Sequence, residues 1–113
     1  MTKVDIESII RKQIAENPVI IYMKGSPDQP ECGFSGAAVA ALKRAGAALA
    51  YVNVLQVPSI RERLPSISRW PTFPQLFVNG ELVGGSDIVC AMEADGSLKT
   101  LLASVKTQAA VST

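Results

Sequence analysis

With 113 residues, 48% of them hydrophobic and 19% charged, the chain is long enough to bury one core and too apolar to be disordered. A net charge of +1 gives no basis for nucleic-acid or membrane-surface partners, and no apolar run is long enough to span a bilayer. The chain has no histidine and only two cysteines, Cys32 and Cys90, which excludes Cys–His catalysis, Ser–His–Asp triads, histidine metal sites and four thiolate ligands from one chain.

Asp5 to Asn17 places Ile6, Ile9, Ile10 and Ile14 on one helical face, and Pro18 ends that helix. Val19 to Met23 is a continuous apolar run and reads as a buried central strand. A loop with Gly25, Pro27 and Pro30 follows, and Gly36 to Ala45 reads as a helix with Val39 and Leu42 inward. Leu49 to Val54 is a second strand, parallel to the first across this helix. Pro58 opens a short helix through about Leu64 or Ser68, and the prolines of Trp70-Pro71-Thr72-Phe73-Pro74 make that segment extended. Gln75 to Val78 and Glu81 to Val83 form a hairpin about Asn79-Gly80. A helix from about Ile88 to Ala94 is capped by Ser86 or Asp87, and Ser97 caps a last helix through about Val105. Residues from about 106 to 113 read as a frayed tail. The order predicts one domain over 1–113, with a mixed four-stranded sheet flanked by helices. Met1 to Asp5 carries early charge and no apolar stretch, so it does not read as a signal peptide, and a reducing, cytoplasmic compartment is expected.

Cys32 stands where the proline-rich loop gives way to a helix. The positive end of the helix dipole and unpaired N–H groups favour thiolate there, and Lys24 adds a nearby charge. The competing reading, a buried structural cysteine, would not need the glycines and prolines that shape the loop. Three residues on, where a redox pair would carry its resolving thiol, the chain has Ser35, so exchange within the loop is excluded. Any cluster held by thiolates must therefore borrow ligands from a second chain, a small thiol or both. Cys90 sits among apolar neighbours and reads as a small buried hydrophobe. A regulatory disulfide, with Cys32 or another chain, is its alternative.

Four motifs in order, Met23-Lys24-Gly25, Pro30-x-Cys32-Gly33-Phe34-Ser35, Trp70-Pro71-Thr72-Phe73-Pro74-Gln75 and Gly84-Gly85-Ser86-Asp87-Ile88, resemble the monothiol glutaredoxins with a Cys-Gly-Phe-Ser signature, in their short form. The resemblance runs from the first helix to about Val105 and implies a thioredoxin-like α/β fold. It implies glutathione as the outside thiol. Lys24 and Arg61 match the cations that hold its glycyl carboxylate. Phe73 matches the residue whose backbone pairs with its cysteinyl backbone, and Pro74 after it matches the cis proline of that fold, although by itself it would read as a turn proline in trans. Ser86 and Asp87 match the pair that takes its γ-glutamyl end. Taken singly, Lys24 and Arg61 would be solvated charges, Ser86 and Asp87 helix caps, and Trp70 and Phe73 core aromatics; they gain weight by converging with Cys32. Many relatives carry a cysteine at the place of Ser86, which puts a redox switch there in doubt.

The resemblance and the cysteine count combine into one expectation: two Cys32 thiolates and two glutathione thiolates hold a [2Fe–2S] cluster across a homodimer, for transfer to apo iron–sulfur proteins. The alternative is a glutathione-dependent thiol–disulfide oxidoreductase acting through Cys32. The loop from Lys24 to Glu31 is longer than a minimal connection, and by resemblance that goes with weak oxidoreductase activity. A BolA-type protein is a further possible partner, implied by the family alone.

Overall fold

The computed structural model describes residues 5–111. Strand β1, Val19–Met23, is buried along its whole length. Successive strand side chains point to opposite faces. Val19, Ile21 and Met23 therefore enter one core with Val39, Leu42, Leu76, Val89 and Leu98. Ile20 and Tyr22 enter another with Ile10, Val54, Ile60, Leu64 and Phe77. An unbroken apolar run is what a strand needs to divide two cores, and each such fully buried side chain contributes about 1.5–3 kcal/mol. The Tyr22 ring meets Phe77 edge-on at 5.8 Å, and its hydroxyl donates to Gln13 Oε1 at 2.8 Å.

Strand β2, Ala50–Asn53, lies parallel to β1. Strand β3, Gln75–Val78, lies antiparallel to β1, and β4, Glu81–Gly84, antiparallel to β3, giving the order β2-β1-β3-β4. Helices α1, Ile6–Glu16, and α3, Pro58–Ser68, pack on one face. Helices α2, Gly33–Arg44, α4, Ser86–Asp95, and α5, Ser97–Val111, pack on the other. The expected mixed four-stranded sheet flanked by helices is therefore present. The strand ends set the site's place: β1 and β4 finish, and β3 begins, at one end of the sheet.

Several local expectations change. Ile6, Ile10 and Ile14 face the sheet, but Ile9 is 37% exposed, because it lies 100° round the helix from Ile10. Helix α2 starts at Gly33 and not Gly36, since the Cys32 carbonyl already accepts the Gly36 N–H at 2.9 Å. Helix α4 starts at Ser86 with Gly85 as its cap, so Ser86 and Asp87 are its first two residues and not caps. Ser97 begins α5; the Asp95 carboxylate accepts its N–H at 2.8 Å, in place of a Ser97 cap. That helix continues past Val105 to Val111. The last two residues of the expected tail, 112–113, lie outside the described residues. Helix α3 takes the longer of its two expected lengths and carries Pro65 inside it, which deprives the Arg61 carbonyl of its helical partner.

Candidate functional site

The loop between β1 and α2 is a closed hairpin. Gly25 bridges Pro30, and Ser26 and Gln29 exchange N–H···O bonds at 3.1 Å. The Glu31 N–H donates to the Lys24 carbonyl at 2.9 Å, so the residue before Cys32 is tied to the end of β1. Asn53, at the end of β2, accepts the Gly25 N–H at 3.0 Å and fixes the hairpin from the other side. Lys43 Nζ reaches back from α2 to donate to the Pro27 carbonyl at 3.3 Å.

Cys32 caps α2 with extended backbone, φ −150° and ψ 135°. Its thiol is half-buried and free. The Ser35 backbone N–H, aimed at the sulfur, holds its pKa below the ordinary thiol value; the Phe34 N–H, the Lys24 charge and the Ser35 hydroxyl add to this, while partial burial opposes it. A lowered pKa keeps thiolate present at lower pH, so the sign is toward reactivity near neutrality. Cys90 differs: its sulfur donates to the Ala37 carbonyl at 3.6 Å and packs against the α2–α4 core. Iodoacetamide near pH 7 should therefore label Cys32 well before Cys90, as read by peptide mass spectrometry; equal rates would contradict the thiolate assignment.

A cleft of about 750 Å³ opens beside Cys32. Lys24, Arg61, Phe73, Ser86 and Asp87 all line it, from the end of β1, α3, the segment before β3, and α4. Among the described residues Lys24, Arg61 and Asp87 have no ion-pair partner, whereas Arg63, two residues from Arg61, is held by Glu7 at 2.8 Å. The cleft thus presents two cations and one carboxylate uncommitted to the protein itself. Opposite charges on separate walls suit a zwitterionic ligand.

The Phe73–Pro74 peptide bond is cis. Gln75 is fully buried and its amide donates to the carbonyls of Trp70 at 2.9 Å and Thr72 at 3.2 Å, which holds this segment against the sheet. Gly85 sits close over the same segment: a Cβ there would lie 3.2 Å from Trp70 Nε1 and 3.3 Å from the Pro74 carbonyl. The cleft also takes walls that sequence reasoning did not assign, Phe34, Pro65, Trp70, Pro71, Thr72, Gly85 and Ile88. All of these except Pro65 belong to the quoted motifs and were within reach. Pro65 carries no local signal, since a proline inside a helix reads first as a breaker.

Phe34 is 65% exposed beside Cys32. Among the described residues no cluster of three or more His, Cys, Asp or Glu side chains is placed to hold a metal. One chain therefore offers one thiolate at the cleft, a donor set that fits an iron–sulfur cluster only if three further thiolates come from outside.

A mixed sheet, a cysteine at the first turn of α2 and a cis proline opening β3 on the same cleft define the class of thioredoxin-like thiol proteins. The glutaredoxin family profile matches residues 19–83. "Glutaredoxin 4" of Pasteurella multocida is 58% identical over 96 residues, covering 85% of this chain and 88% of that protein. "Glutaredoxin 4" of Escherichia coli K12 is 58% identical over 93 residues, 82% of this chain and 81% of that one. Among solved structures, reduced poplar apo GrxS14 superimposes with a TM-score of 0.76 at 36% identity, covering 89% of this chain and 93% of that one. A truncated mutant of Trypanosoma brucei 1-C-Grx1 gives a TM-score of 0.79 at 34% identity, covering 90% and 93%. The chain belongs to the glutaredoxin family, with a monothiol Cys-Gly-Phe-Ser motif at Cys32. Glutaredoxins as a family bind glutathione. Among the described residues no helix is long and apolar enough to cross a membrane.

Proposed function

We propose that this protein binds glutathione in the Cys32 cleft and carries a [2Fe–2S] cluster shared between two copies of itself, delivering it to apo-proteins in a reducing, cytoplasmic compartment. The observation that carries this reading is the pairing of one thiolate-prone cysteine with three uncommitted charges, Lys24, Arg61 and Asp87, in a cleft without a second thiol. Lys24 and Arg61 take the glycyl carboxylate of glutathione, the Phe73 backbone pairs with its cysteinyl unit, and Ser86 and Asp87 take its γ-glutamyl carboxylate and amine. Cys32 and the glutathione sulfur are then two ligands, and a second copy supplies the other two. The cluster is cargo: half its ligands are not covalently part of the protein, which suits release.

The test is anaerobic reconstitution with iron and sulfide, with and without glutathione, followed by absorption spectroscopy and size-exclusion chromatography. Visible cluster absorption on a dimer, lost when glutathione is omitted, is expected. A colourless monomer in both arms would sink the proposal. A BolA-type protein added to the loaded dimer tests that partner: it would bring histidine ligands this chain lacks, and failure to form a mixed complex removes it.

The half-exposed Cys32 and the absence of a resolving thiol also favour a second reading. The Cys32 thiolate attacks a protein–glutathione disulfide, releasing the protein thiolate and leaving Cys32 joined to glutathione. A second glutathione thiolate then displaces Cys32 and leaves as oxidised glutathione. Turnover matching a dithiol glutaredoxin in a glutathione-coupled reductase assay would favour this enzyme over the carrier.

A further inference from the structure

Two polar side chains are fully buried among the described residues, Ser35 and Gln75. An amide buried to that degree is costly unless its donors are used. Gln75 opens β3, and its backbone is registered against Tyr22 of the central strand β1. Its side chain turns back along the chain. Nε2 donates to the Trp70 carbonyl at 2.9 Å and to the Thr72 carbonyl at 3.2 Å, which commits both amide protons. The two acceptors also fix which end of the amide faces them, since only the nitrogen can donate. Residues 70–74 lie in no helix or strand, and Pro71 and Pro74 bring no N–H, so the segment has few donors of its own for these carbonyls. The Gln75 side chain supplies them from the sheet. The strapped segment, Trp70 to Pro74, is one continuous wall of the cleft, whereas Gln75 does not line it.

We propose that Gln75 is a positioning residue for the ligand cleft: its amide straps the Trp70–Thr72 backbone to β3 and so sets where the Phe73 backbone meets the cysteinyl unit of glutathione. The inference rests on the glutathione reading above. Phe73 is bracketed by fixed points, the tied Thr72 carbonyl before it and the sheet-registered Gln75 two positions on. Without the amide, the carbonyls at 70 and 72 lose their partners, and the wall is held by packing alone. No ligand-contacting group is removed with it: Lys24, Arg61, Ser86 and Asp87 all stay.

The strap can be read in the wild-type chain, with no variant and no ligand. The two Gln75 side-chain amide protons should exchange slowly with water and show scalar coupling to the carbonyl carbons of Trp70 and Thr72. Exchange at the rate of a solvated glutamine, or no coupling, overturns the proposal. Gln75→Met then keeps the length and removes both donors. Gln75→Glu keeps the shape but, ionised, has no proton to give and sets a carboxylate against two carbonyl oxygens. Misaligning one backbone bond to the ligand should weaken binding of reduced glutathione about tenfold in both variants, as measured by titration calorimetry. The emission of Trp70, the one tryptophan, should shift as the wall loosens. Gly46→Ala separates positioning from general loosening. Gly46, at φ +82°, lies past the far end of α2 from Cys32, so that variant is strained away from the cleft and should bind glutathione like wild type. Wild-type affinity in Gln75→Met overturns the proposal, and so does an equal loss in Gly46→Ala. If wild type itself binds no glutathione, the reading of the cleft falls, and the strap is judged on the amide couplings and the Trp70 shift, either of which overturns it when missing.

Discussion

Replacing Cys32 with serine is expected to take reconstituted cluster absorption and glutathione-coupled turnover to background while leaving the fold intact. The two outcomes separate because the position does two unrelated things. As a cap of α2, serine is better than cysteine, since its oxygen accepts a backbone N–H that sulfur takes only weakly, so melting temperature should hold or rise slightly. As a nucleophile or iron ligand it fails. A serine hydroxyl stays protonated at neutral pH, and the donors that pull down the Cys32 pKa act on a group far outside the range they can bridge. The cleft walls at Lys24, Arg61, Phe73, Ser86 and Asp87 remain, so weak glutathione binding should survive and can be followed by the fluorescence of Trp70, the one tryptophan in the chain. Cys90→Ser is the companion: with its sulfur turned to the Ala37 carbonyl away from the chemistry, it should keep both cluster and turnover. Equal cluster content in wild type and Cys32→Ser would end the carrier proposal.

What the chain discloses before folding depends on whether a property is local. The apolar run Val19–Met23 could only be satisfied by burial on both faces, and Asn79, at φ 53°, makes the turn that its pairing with Gly80 announces. Both are decided by a few adjacent residues. The start of α2 is not: glycines at 33 and 36 are poor helix formers, and it is the Cys32 carbonyl, held by the hairpin behind it, that begins the helix three residues early. Ser86 and Asp87 look like caps because their side chains suit one, yet Gly85 takes that place under Trp70. The five predicted glutathione contacts line one cleft although they lie up to 63 positions apart in the chain, Lys24 to Asp87. Family motifs could name them; only tertiary packing brings in Pro65 beside them. The bond from the Lys24 N–H to the Ser35 Oγ, 3.1 Å long, was equally hidden, since its partners lie eleven positions apart in the chain.

Gly25→Ala should be the most damaging single-methyl change near the site. At φ +97° an alanine occupies a region that L-residues avoid, and its Cβ would meet Gln29 O and Glu31 N at 2.5 Å and Pro30 C at 3.0 Å. All three are backbone atoms of the hairpin, so no side chain can swing aside. Either the Gly25–Pro30 bridge opens or the backbone from Lys24 to Glu31 shifts, and Cys32 is the next residue. Destabilisation on the order of 3 kcal/mol is expected, a fall of roughly 10 °C or more in melting temperature. Since about 1 Å of misplacement at a reacting atom costs roughly 100-fold, thiol turnover should fall by that order. Gly46→Ala is the matched control. Gly46 has φ +82° but nothing within 4 Å of its would-be Cβ. It therefore carries the conformational penalty alone, about 1–2 kcal/mol, with Cys32 reactivity unchanged. If the two variants lose the same stability and the same activity, the hairpin does not position Cys32, and the ties from Glu31 to Lys24 and from Gly25 to Asn53 are incidental to the site.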